Sequence, residues 1–253
     1  MCSNLLAPNQ SKIFYRAVIK ARRAQQKMSR ICLFRPVNFV HYLRLLHRAY
    51  RYKYRHEPGG VRFLYRHLRP GDTALDIGAH KGAYVYWMQK ITGARGKVFA
   101  FEPQHNLYLR LQQLVRYAHW QQVTVENLAL HHHEGMGQLF IPAGLPDGSS
   151  PGARIFPTEV TEPGAWQQVQ TTTLDAYCTL HGLLPDFLKI DVEGNEWNVL
   201  TGGEHTIRLH RPVLMIEIEA RHVGEDRARE TFAWLQQHGY EGFALSARRD
   251  IPL

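Results

Sequence analysis

The chain has 253 residues, of which 44% are hydrophobic and 11% aromatic, and it carries a net charge of +9. This composition suffices for one α/β domain with an extension and excludes an intrinsically disordered chain. The three cysteines, at positions 2, 32 and 178, form no Cys-x-x-Cys pair, which excludes a zinc ribbon and a disulfide framework.

The excess positive charge lies at the N-terminal end of the chain. Residues 1–60 contain 13 lysines and arginines against one acidic residue, whereas the remaining residues carry a net charge of −3. Helical periodicity predicts helices over residues 12–30 and 38–55. We predict that residues 1–58 form a basic extension of a catalytic domain at 59–253. This extension either packs on the domain with its charges exposed, or binds an anionic membrane surface, an acidic acceptor or RNA.

The second of these helices has an apolar face with arginines opposite, formed by Phe39, Leu43, Leu46 and Tyr50. Basic residues interrupt the apolar runs near the N-terminus, and no stretch approaches the roughly 20 apolar residues that cross a bilayer. We therefore expect a cytoplasmic protein, with peripheral association at the inner face of the membrane as an open alternative.

From residue 72 onward, short apolar runs alternate with amphipathic stretches. The apolar runs predict strands at 73–77, 97–101, 123–128, 187–191, 213–219 and 240–245. Helical spacing predicts helices at 84–91, 106–117, 196–209 and 226–238. This alternation predicts an α/β, Rossmann-like fold, a mostly parallel twisted sheet with helices on both faces. Residues 142–168 are too long for an ordinary connection, and we expect a lid or a substrate loop there.

The first strand runs into a glycine-containing turn that opens a helix. Gly78 and Gly82 let the backbone turn tightly and approach a ligand, and the helix N-terminus offers free N–H groups. Asp76, at the strand tip, accepts hydrogen bonds but would repel a pyrophosphate, so it suits the ammonium group of an amino acid. We expect these three residues to bind a cofactor.

Two further strand tips carry polar residues suited to a nucleoside. Glu102 follows the second strand at the distance from the glycine turn where a nucleoside-binding α/β fold places the acid that binds the ribose hydroxyls. Asn127 follows the third strand and is expected to flank the adenine. The carboxyl ends of parallel strands form the ligand crevice in such sheets.

The fourth strand ends in two carboxylates, Asp191 and Glu193, which strand alternation would place on one face. They could orient an acceptor, act as a base or hold a divalent ion such as Mg²⁺. His80 and His222 each follow a strand that opens on the crevice, and either is a candidate general base because imidazole titrates near neutral pH. Residue composition leaves the choice between them open.

Three consecutive histidines occupy positions 131–133. Three consecutive side chains cannot share one face of a strand. We therefore expect a surface turn, with a role near the rim of the active site as the alternative, and no metal site from these three residues alone.

Several motifs follow one another in order, namely Asp-Ile-Gly-Ala-His-Lys-Gly (76–82), Phe-Glu-Pro (101–103), Asn-Leu-Ala-Leu (127–130), Thr-Thr-Leu-Asp (172–175), Lys-Ile-Asp-Val-Glu-Gly (189–194) and Ile-Glu-Ile-Glu (216–219). This pattern resembles the FkbM family of methyltransferases over about residues 60–245. The resemblance implies S-adenosyl-L-methionine as methyl donor and a hydroxyl acceptor on a small molecule, a sugar or polysaccharide, or a polyketide-type natural product. It also implies Asp76, Gly78, Glu102 and Asn127 at the cofactor and Asp191 beside the transferred methyl group.

Three other functions share part of this pattern. An NAD-dependent oxidoreductase needs a Gly-x-Gly-x-x-Gly turn, which is absent. An RNA methyltransferase that uses the basic extension stays the alternative function, although nucleic acid is the less expected partner. Neither Asn-Pro-Pro-Tyr nor Asp-Pro-Pro-Tyr occurs, so we do not expect methylation of the adenine amino group. A non-catalytic scaffold would have no use for intact cofactor motifs.

Overall fold

The computed structural model describes residues 39–143, 149–155, 160–246 and 250–252. The predicted helix at 12–30 lies outside these residues. The helices are α1 (Phe39–Arg51), α2 (Pro58–His67), α3 (Ala83–Thr92), α4 (His105–Tyr117), α5 (Leu174–His181), α6 (Glu196–Thr201), α7 (Glu204–His210), α8 (Ala220–Val223) and α9 (Glu225–Gln237), with a π-helical turn at Tyr52–His56. The strands are β1 (Thr73–Ile77), β2 (Lys97–Phe101), β3 (Val123–Glu126), β4 (Ala129–Leu130), β5 (Gly135–Pro142), β6 (Arg154–Ile155), β7 (Gly164–Thr172), β8 (Phe187–Ile190), β9 (Val213–Ile216), β10 (Phe243–Leu245) and β11 (Asp250–Pro252).

The central sheet of the described chain has the order β3-β2-β1-β8-β9, and every neighbouring pair is parallel. Its register brings the carboxyl ends together, because Ile77 pairs with both Phe101 and Ile190. The chain leaves β1 toward β2 on one side, and β8 lies on the other side. This reversal of strand order opens a crevice at the carboxyl edge. The expected Rossmann-like α/β fold is confirmed.

The two faces of the sheet are covered by different helices. Phe101 lies edge-on to Tyr177 of α5, with ring centroids 4.8 Å apart, within a core cluster that includes Leu75, Ile77, Leu188 and Ile190. On the opposite face, Phe187 contacts Phe63 of α2 at 6.1 Å. Alternation along β1 and β8 places Asp76 and Lys189 on the face of Phe187.

A second sheet follows the order β4-β7-β5-β6 and is antiparallel except between β4 and β7. Pro142 ends β5, Arg154 and Ile155 form β6, and strand β7 occupies residues 164–172, so the prediction of a loop over 142–168 was wrong at each of these places. Its sequence gave a weak strand signal, since glutamines and threonines dominate and Val169 and Thr171 are its buried residues. Sheet pairing along the whole of β5 compensates for that composition.

Two predicted elements, the third strand and the helix at 196–209, are shorter than expected because residues within the predicted spans make contacts with other parts of the chain. The third strand stops at Glu126, because Asn127 turns to bond the loop after β2. The helix predicted at 196–209 is broken at Gly202 and Gly203, where a Cβ atom would lie 2.3 Å from the His131 carbonyl oxygen and 2.5 Å from Leu174, respectively. Tight packing there requires glycine.

The last strand, predicted at 240–245, begins three residues later than expected. Residues 243–245 form β10, which pairs antiparallel with β11 and not with the central sheet of the described residues. The fourth and fifth parallel strands also end at Ile190 and Ile216, before the acidic residues that follow them.

Helix α1 packs through a different face from the predicted one. Leu45 and Ala49 are buried, and the Trp87 indole donates a 2.9 Å hydrogen bond to the Ala49 carbonyl. Phe39, Leu43 and Tyr50 are exposed. Ala49 has a small side chain, so the Trp87 indole can approach its carbonyl oxygen. The spacing of apolar residues alone does not indicate this contact.

No helix in the described part of the chain is long and apolar enough to span a membrane. The domain boundary at residue 58 stays a prediction.

Candidate active site

A cavity of about 240 Å³ opens at the carboxyl edge of the central sheet. Gly78, at the end of β1, adopts φ +85°, and a Cβ atom there would lie 1.8 Å from the Asp191 carbonyl oxygen. Only glycine therefore lets the loops after β1 and β8 meet. The apolar part of the lining comes from both sheets and includes Phe101, Leu128, Leu130, Leu139 and Ile155.

Glu102 lies in this cavity and is held in a fixed orientation. It is 2% exposed, and its two carboxylate oxygens accept backbone hydrogen bonds from His80 (2.7 Å) and Gln104 (2.8 Å). Burial raises its pKa to about 7, against the effect of those two hydrogen bonds. Each oxygen keeps a lone pair that can accept a ligand hydroxyl.

His80 also lines the cavity, next to Glu102. Its backbone is left-handed, with φ +47°, and its Nε2 atom is buried with no hydrogen-bond partner among the described residues. Burial, followed by the charges of Lys81 and Arg48, lowers its pKa to about 4. The imidazole is therefore neutral at neutral pH and a weak base, better suited to a hydrogen bond than to proton removal.

Asp76 lies beneath the cavity and does not line it. Its side chain is fully buried, and the Lys189 ammonium lies 3.2 Å from its Oδ1. The same ammonium lies 3.1 Å from Asp191 Oδ2 and donates to the Gly78 carbonyl oxygen at 3.1 Å. Burial alone would lower the pKa of Lys189, but the carboxylates of Asp191 and Asp76 raise it above its usual value. Lys189 thus takes the position that the sequence suggested for a ligand's ammonium.

Two other expected cofactor residues support the site from outside the cavity. Asn127 donates to the carbonyl oxygens of Glu102 (2.9 Å) and Pro103 (3.0 Å), which fixes the loop that carries the Glu102 side chain. Gly82, with φ +78°, makes room for Leu111, whose Cδ1 would lie 2.6 Å from an added Cβ atom. Neither residue lines the cavity described above.

A second cavity, of about 640 Å³, adjoins the first. Its apolar wall comes from α2, β9, α9, β10 and the connection between α9 and β10, and it includes Phe63, Leu214, Phe232, Tyr240 and Phe243. Glu57, Asp191 and Glu217 line both cavities. The two spaces therefore meet at three carboxylates.

These carboxylates crowd one another. Burial and then the charges of Asp191 and Glu57 raise the pKa of Glu217 to about 7. Burial and then the charges of Asp191 and Glu219 raise the pKa of Glu193 to about 7. Glu57 accepts a 2.5 Å hydrogen bond from the Tyr84 hydroxyl. A cation placed at this junction would relieve the repulsion.

The pairing of Asp191 with Glu193 expected for a metal does not form. The strand ends at Ile190, and Glu193 adopts φ +53°, so strand alternation does not extend to it. Glu193 instead faces His222, whose Nδ1 lies 3.3 Å from its Oε2 and 3.5 Å from Glu219 Oε2. A Mg²⁺ ion on Asp191 would meet the Lys189 ammonium 3.1 Å from that carboxylate, so these residues do not fit the ion.

His222 lines neither cavity, but it contacts Glu193, which lines the smaller one. Burial lowers the pKa of His222, and the charge of Glu219 opposes that shift.

The His131–His133 segment also differs in part from its prediction. His131 is 4% exposed and buried, whereas His132 and His133 are exposed in a bend after β4.

Sequence reasoning missed Lys189, Glu57 and Glu217 as residues of this site. Lys189 and Glu217 were visible as members of the Lys-Ile-Asp-Val-Glu-Gly and Ile-Glu-Ile-Glu motifs. Glu57 precedes the central sheet in the chain, and no local pattern connects it to the strand tips. It reaches them because α2 packs on the face of Phe187.

Comparison with known proteins identifies the family. The sequence model of the methyltransferase FkbM domain matches residues 76–241. The chain belongs to the FkbM methyltransferase family. No curated protein sequence matches the chain.

The solved structures similar to this FkbM methyltransferase include methyltransferase FkbM from Methylobacillus flagellatus KT, with 16% identity and a TM-score of 0.49. That match covers 93% of this chain and 58% of the other, so this chain spans little more than half the length of that protein. A putative O-methyltransferase from Klebsiella pneumoniae is 12% identical over 90% of this chain and 92% of that chain, with a TM-score of 0.43. A SAM dependent methyltransferase from Aquifex aeolicus is 15% identical over 72% of this chain and 79% of that chain, with a TM-score of 0.40.

Proposed function

We propose that this methyltransferase transfers the methyl group of S-adenosyl-L-methionine to a hydroxyl oxygen on a sugar or polyketide-type acceptor. The observation that carries the proposal is the junction of two cavities at Glu57, Asp191 and Glu217. A donor in the smaller cavity and an acceptor in the larger one would meet there. Holding two reactants in line can supply about 7–11 kcal/mol toward the barrier of such a reaction.

The smaller cavity fits the proposed donor. Glu102 offers an oriented carboxylate for two ribose hydroxyls, and the buried Nε2 of His80 offers a further hydrogen-bonding atom that no described residue uses. Leu128, Leu139 and Ile155 supply apolar walls for a purine ring. When bound, the cofactor supplies a methyl group on a positively charged sulfonium, which the three carboxylates at the junction favour.

Asp191 is the residue best placed to hold the acceptor hydroxyl. Its Oδ2 is engaged by Lys189, and Oδ1 has no hydrogen-bond donor among the described residues. Oδ1 can therefore accept the hydroxyl proton as the oxygen becomes nucleophilic. Glu217 lines the same junction, and its pKa of about 7 makes it a second candidate for that proton.

The larger cavity supports an acceptor with an apolar body. Its aromatic residues Phe63, Phe232 and Tyr240 offer surfaces on which a sugar ring or a polyketide chain could pack. The carboxylates lie at the end shared with the smaller cavity, so a hydroxyl at one end of the acceptor would reach the junction.

Calorimetry and a methylation assay test this proposal. We expect saturable binding of S-adenosyl-L-methionine and S-adenosylhomocysteine, no binding of NAD, and transfer of labelled methyl to alcohols from a panel of glycosides and macrolides. Matched amine analogues serve as the control for oxygen specificity. Binding of NAD in place of the two sulfur compounds would overturn the proposal, and faster methylation of the amines would overturn the hydroxyl assignment.

A further inference from the structure

The histidines at positions 131–133 converge after the end of β4. The strand stops at Leu130, so the alternation of strand side chains does not apply to them. The ring centroid of His131 lies 4.3 Å from the ring centroid of His132 and 4.3 Å from that of His133. The centroids of His132 and His133 lie 4.9 Å apart. One ring nitrogen from each residue lies within 4.8 Å of the other two.

The backbone that carries these rings is held on two sides. The His131 N–H donates to the Thr172 carbonyl oxygen at 2.9 Å, next to the pairing of β4 with β7. The His131 carbonyl oxygen packs against Gly202, where an added Cβ atom would lie 2.3 Å away. The cluster therefore belongs to the packed body of the domain.

A chain of side-chain amides fixes the orientation of the His132 ring. The Asn195 amide nitrogen donates to the Leu130 carbonyl oxygen at 2.9 Å, and this acceptor fixes the direction of every bond that follows. The Asn198 amide nitrogen donates to Asn195 Oδ1 at 2.7 Å, which leaves Asn198 Oδ1 to accept from His132 Nδ1 at 2.8 Å.

His132 Nδ1 consequently carries the proton, and the lone pair lies on Nε2. This is the arrangement of a metal-binding histidine, whose second ring nitrogen donates to a carbonyl or carboxylate oxygen that sets the ring orientation.

We propose that His131, His132 and His133 bind one divalent transition-metal ion of the Zn²⁺ class. Three imidazole ligands suit Zn²⁺, Cu²⁺ or Ni²⁺ rather than Mg²⁺, which requires oxygen. Tetrahedral Zn²⁺ with Zn–N bonds of about 2.0–2.1 Å needs ligand nitrogens roughly 3.3 Å apart. The ring nitrogens lie within 4.8 Å of one another, and rotation of the exposed His133 ring brings them closer while His132 keeps its hydrogen bond to Asn198. The site lies outside both cavities, so it does not rest on the proposed methyl transfer.

The test uses Zn²⁺ itself on the full chain, treated with chelator, dialysed and freed of any affinity tag. Competition with a chromophoric chelator should give one Zn²⁺ per chain. His132→Ala and His133→Ala, both at exposed positions, should abolish this binding. Asn198→Ala should weaken it by about 10-fold or more, the effect of losing an outer hydrogen-bond partner. His41→Ala, at an exposed histidine on α1, is the matched control and should bind like the native chain.

Substitution of Co²⁺ reports the coordination directly, since intense visible bands mark a tetrahedral site with nitrogen ligands. Native protein without one-to-one Zn²⁺ binding would overturn the proposal. Binding that survives both His132→Ala and His133→Ala would overturn it as well, and so would an equal loss in His41→Ala.

Discussion

The Lys189 ammonium lies 3.2 Å from Asp76 Oδ1, and the two residues are register partners on neighbouring strands β1 and β8. Both side chains are buried, at 5% and 0% exposure. Lys189 also contacts Asp191, so the buried pair is continuous with the carboxylates at the cavity junction. A substitution of Asp76 or Lys189 is therefore expected to change the electrostatic environment of Asp191.

Breaking this pair should destabilise the fold. Lys189→Met leaves the Asp76 carboxylate buried without a counter-ion, and we expect it to lower the free energy of unfolding by about 3–5 kcal/mol. The double variant Asp76→Asn/Lys189→Met removes both charges and should recover part of that loss. Urea unfolding of the two single variants and the double variant measures the difference. A double variant as unstable as the sum of the singles would contradict a direct interaction.

Glu102 should contribute to cofactor affinity through the ribose. Glu102→Gln exchanges a charged acceptor for a neutral amide, and a hydrogen bond to a charged group contributes about 1.5–3 kcal/mol. We expect affinities for S-adenosyl-L-methionine and S-adenosylhomocysteine to fall together, by about 10- to 100-fold, in calorimetry. Glu230→Gln, at an exposed glutamate on α9, is the control. A loss confined to only one of the two compounds would place Glu102 away from the ribose.

Glu217 should make the affinity for the sulfonium depend on pH. Its pKa of about 7 means that it gains negative charge between pH 6 and pH 8. S-adenosyl-L-methionine carries a sulfonium and S-adenosylhomocysteine does not, so the ratio of their affinities should rise over that range by up to about 10-fold. Calorimetry in Glu217→Gln should show a clearly smaller rise, the remainder coming from Glu193, whose pKa is also raised to about 7. A ratio that is already flat in the native protein would remove the sulfonium from this junction.

The same raised pKa has a consequence for stability. The native state binds the Glu217 proton more tightly than the unfolded state does, so this residue lowers the stability of the fold as pH rises from its ordinary pKa of 4.5 to about 7, and the loss is complete above that pH. We therefore expect Glu217→Gln to raise the melting temperature relative to the native protein at pH 8 and to change it little at pH 5. Equal changes at both pH values would contradict the shifted pKa.

Asp191 should act in the transfer step rather than in donor binding. Asp191→Asn removes the proton acceptor, and we expect kcat to fall by at least about 100-fold, within the range of general-base catalysis, with little change in donor affinity. Single-turnover methylation with labelled donor measures this once an acceptor is known. Asp226→Asn, at an exposed position, is the control. Near-native turnover would move the search for a base to Glu217, because the lowered pKa of His80 makes it a weak base and His222 lines neither cavity.

The basic N-terminal residues should act independently of the cofactor. Deletion of residues 1–36 removes eight lysines and arginines and no acidic residue. We expect it to leave S-adenosyl-L-methionine affinity nearly unchanged and to reduce binding to anionic vesicles, with steep salt dependence in the full chain. Vesicle sedimentation at increasing salt measures this. Salt-independent vesicle binding, or loss of cofactor binding on deletion, would rule it out.

The sequence by itself determined the sheet and the positions of its strand tips. Strands β1 and β2 have the bounds that apolar runs predicted, because a buried parallel strand needs a continuous apolar segment between turns. The glycine turn and the glutamate after the second strand likewise placed Gly78 and Glu102 at the cavity, since both follow directly from local chain geometry.

Only the tertiary structure decided which charges meet. Asp76 and Lys189 belong to different motifs, 113 positions apart in the chain, and their contact depends on strand register, which no local pattern specifies. The same holds for the convergence of the His131–His133 rings, which depends on where β4 ends and on packing against Gly202. Pairing between distant segments is set by the whole packed sheet, because burial selects one register among many with similar local preferences.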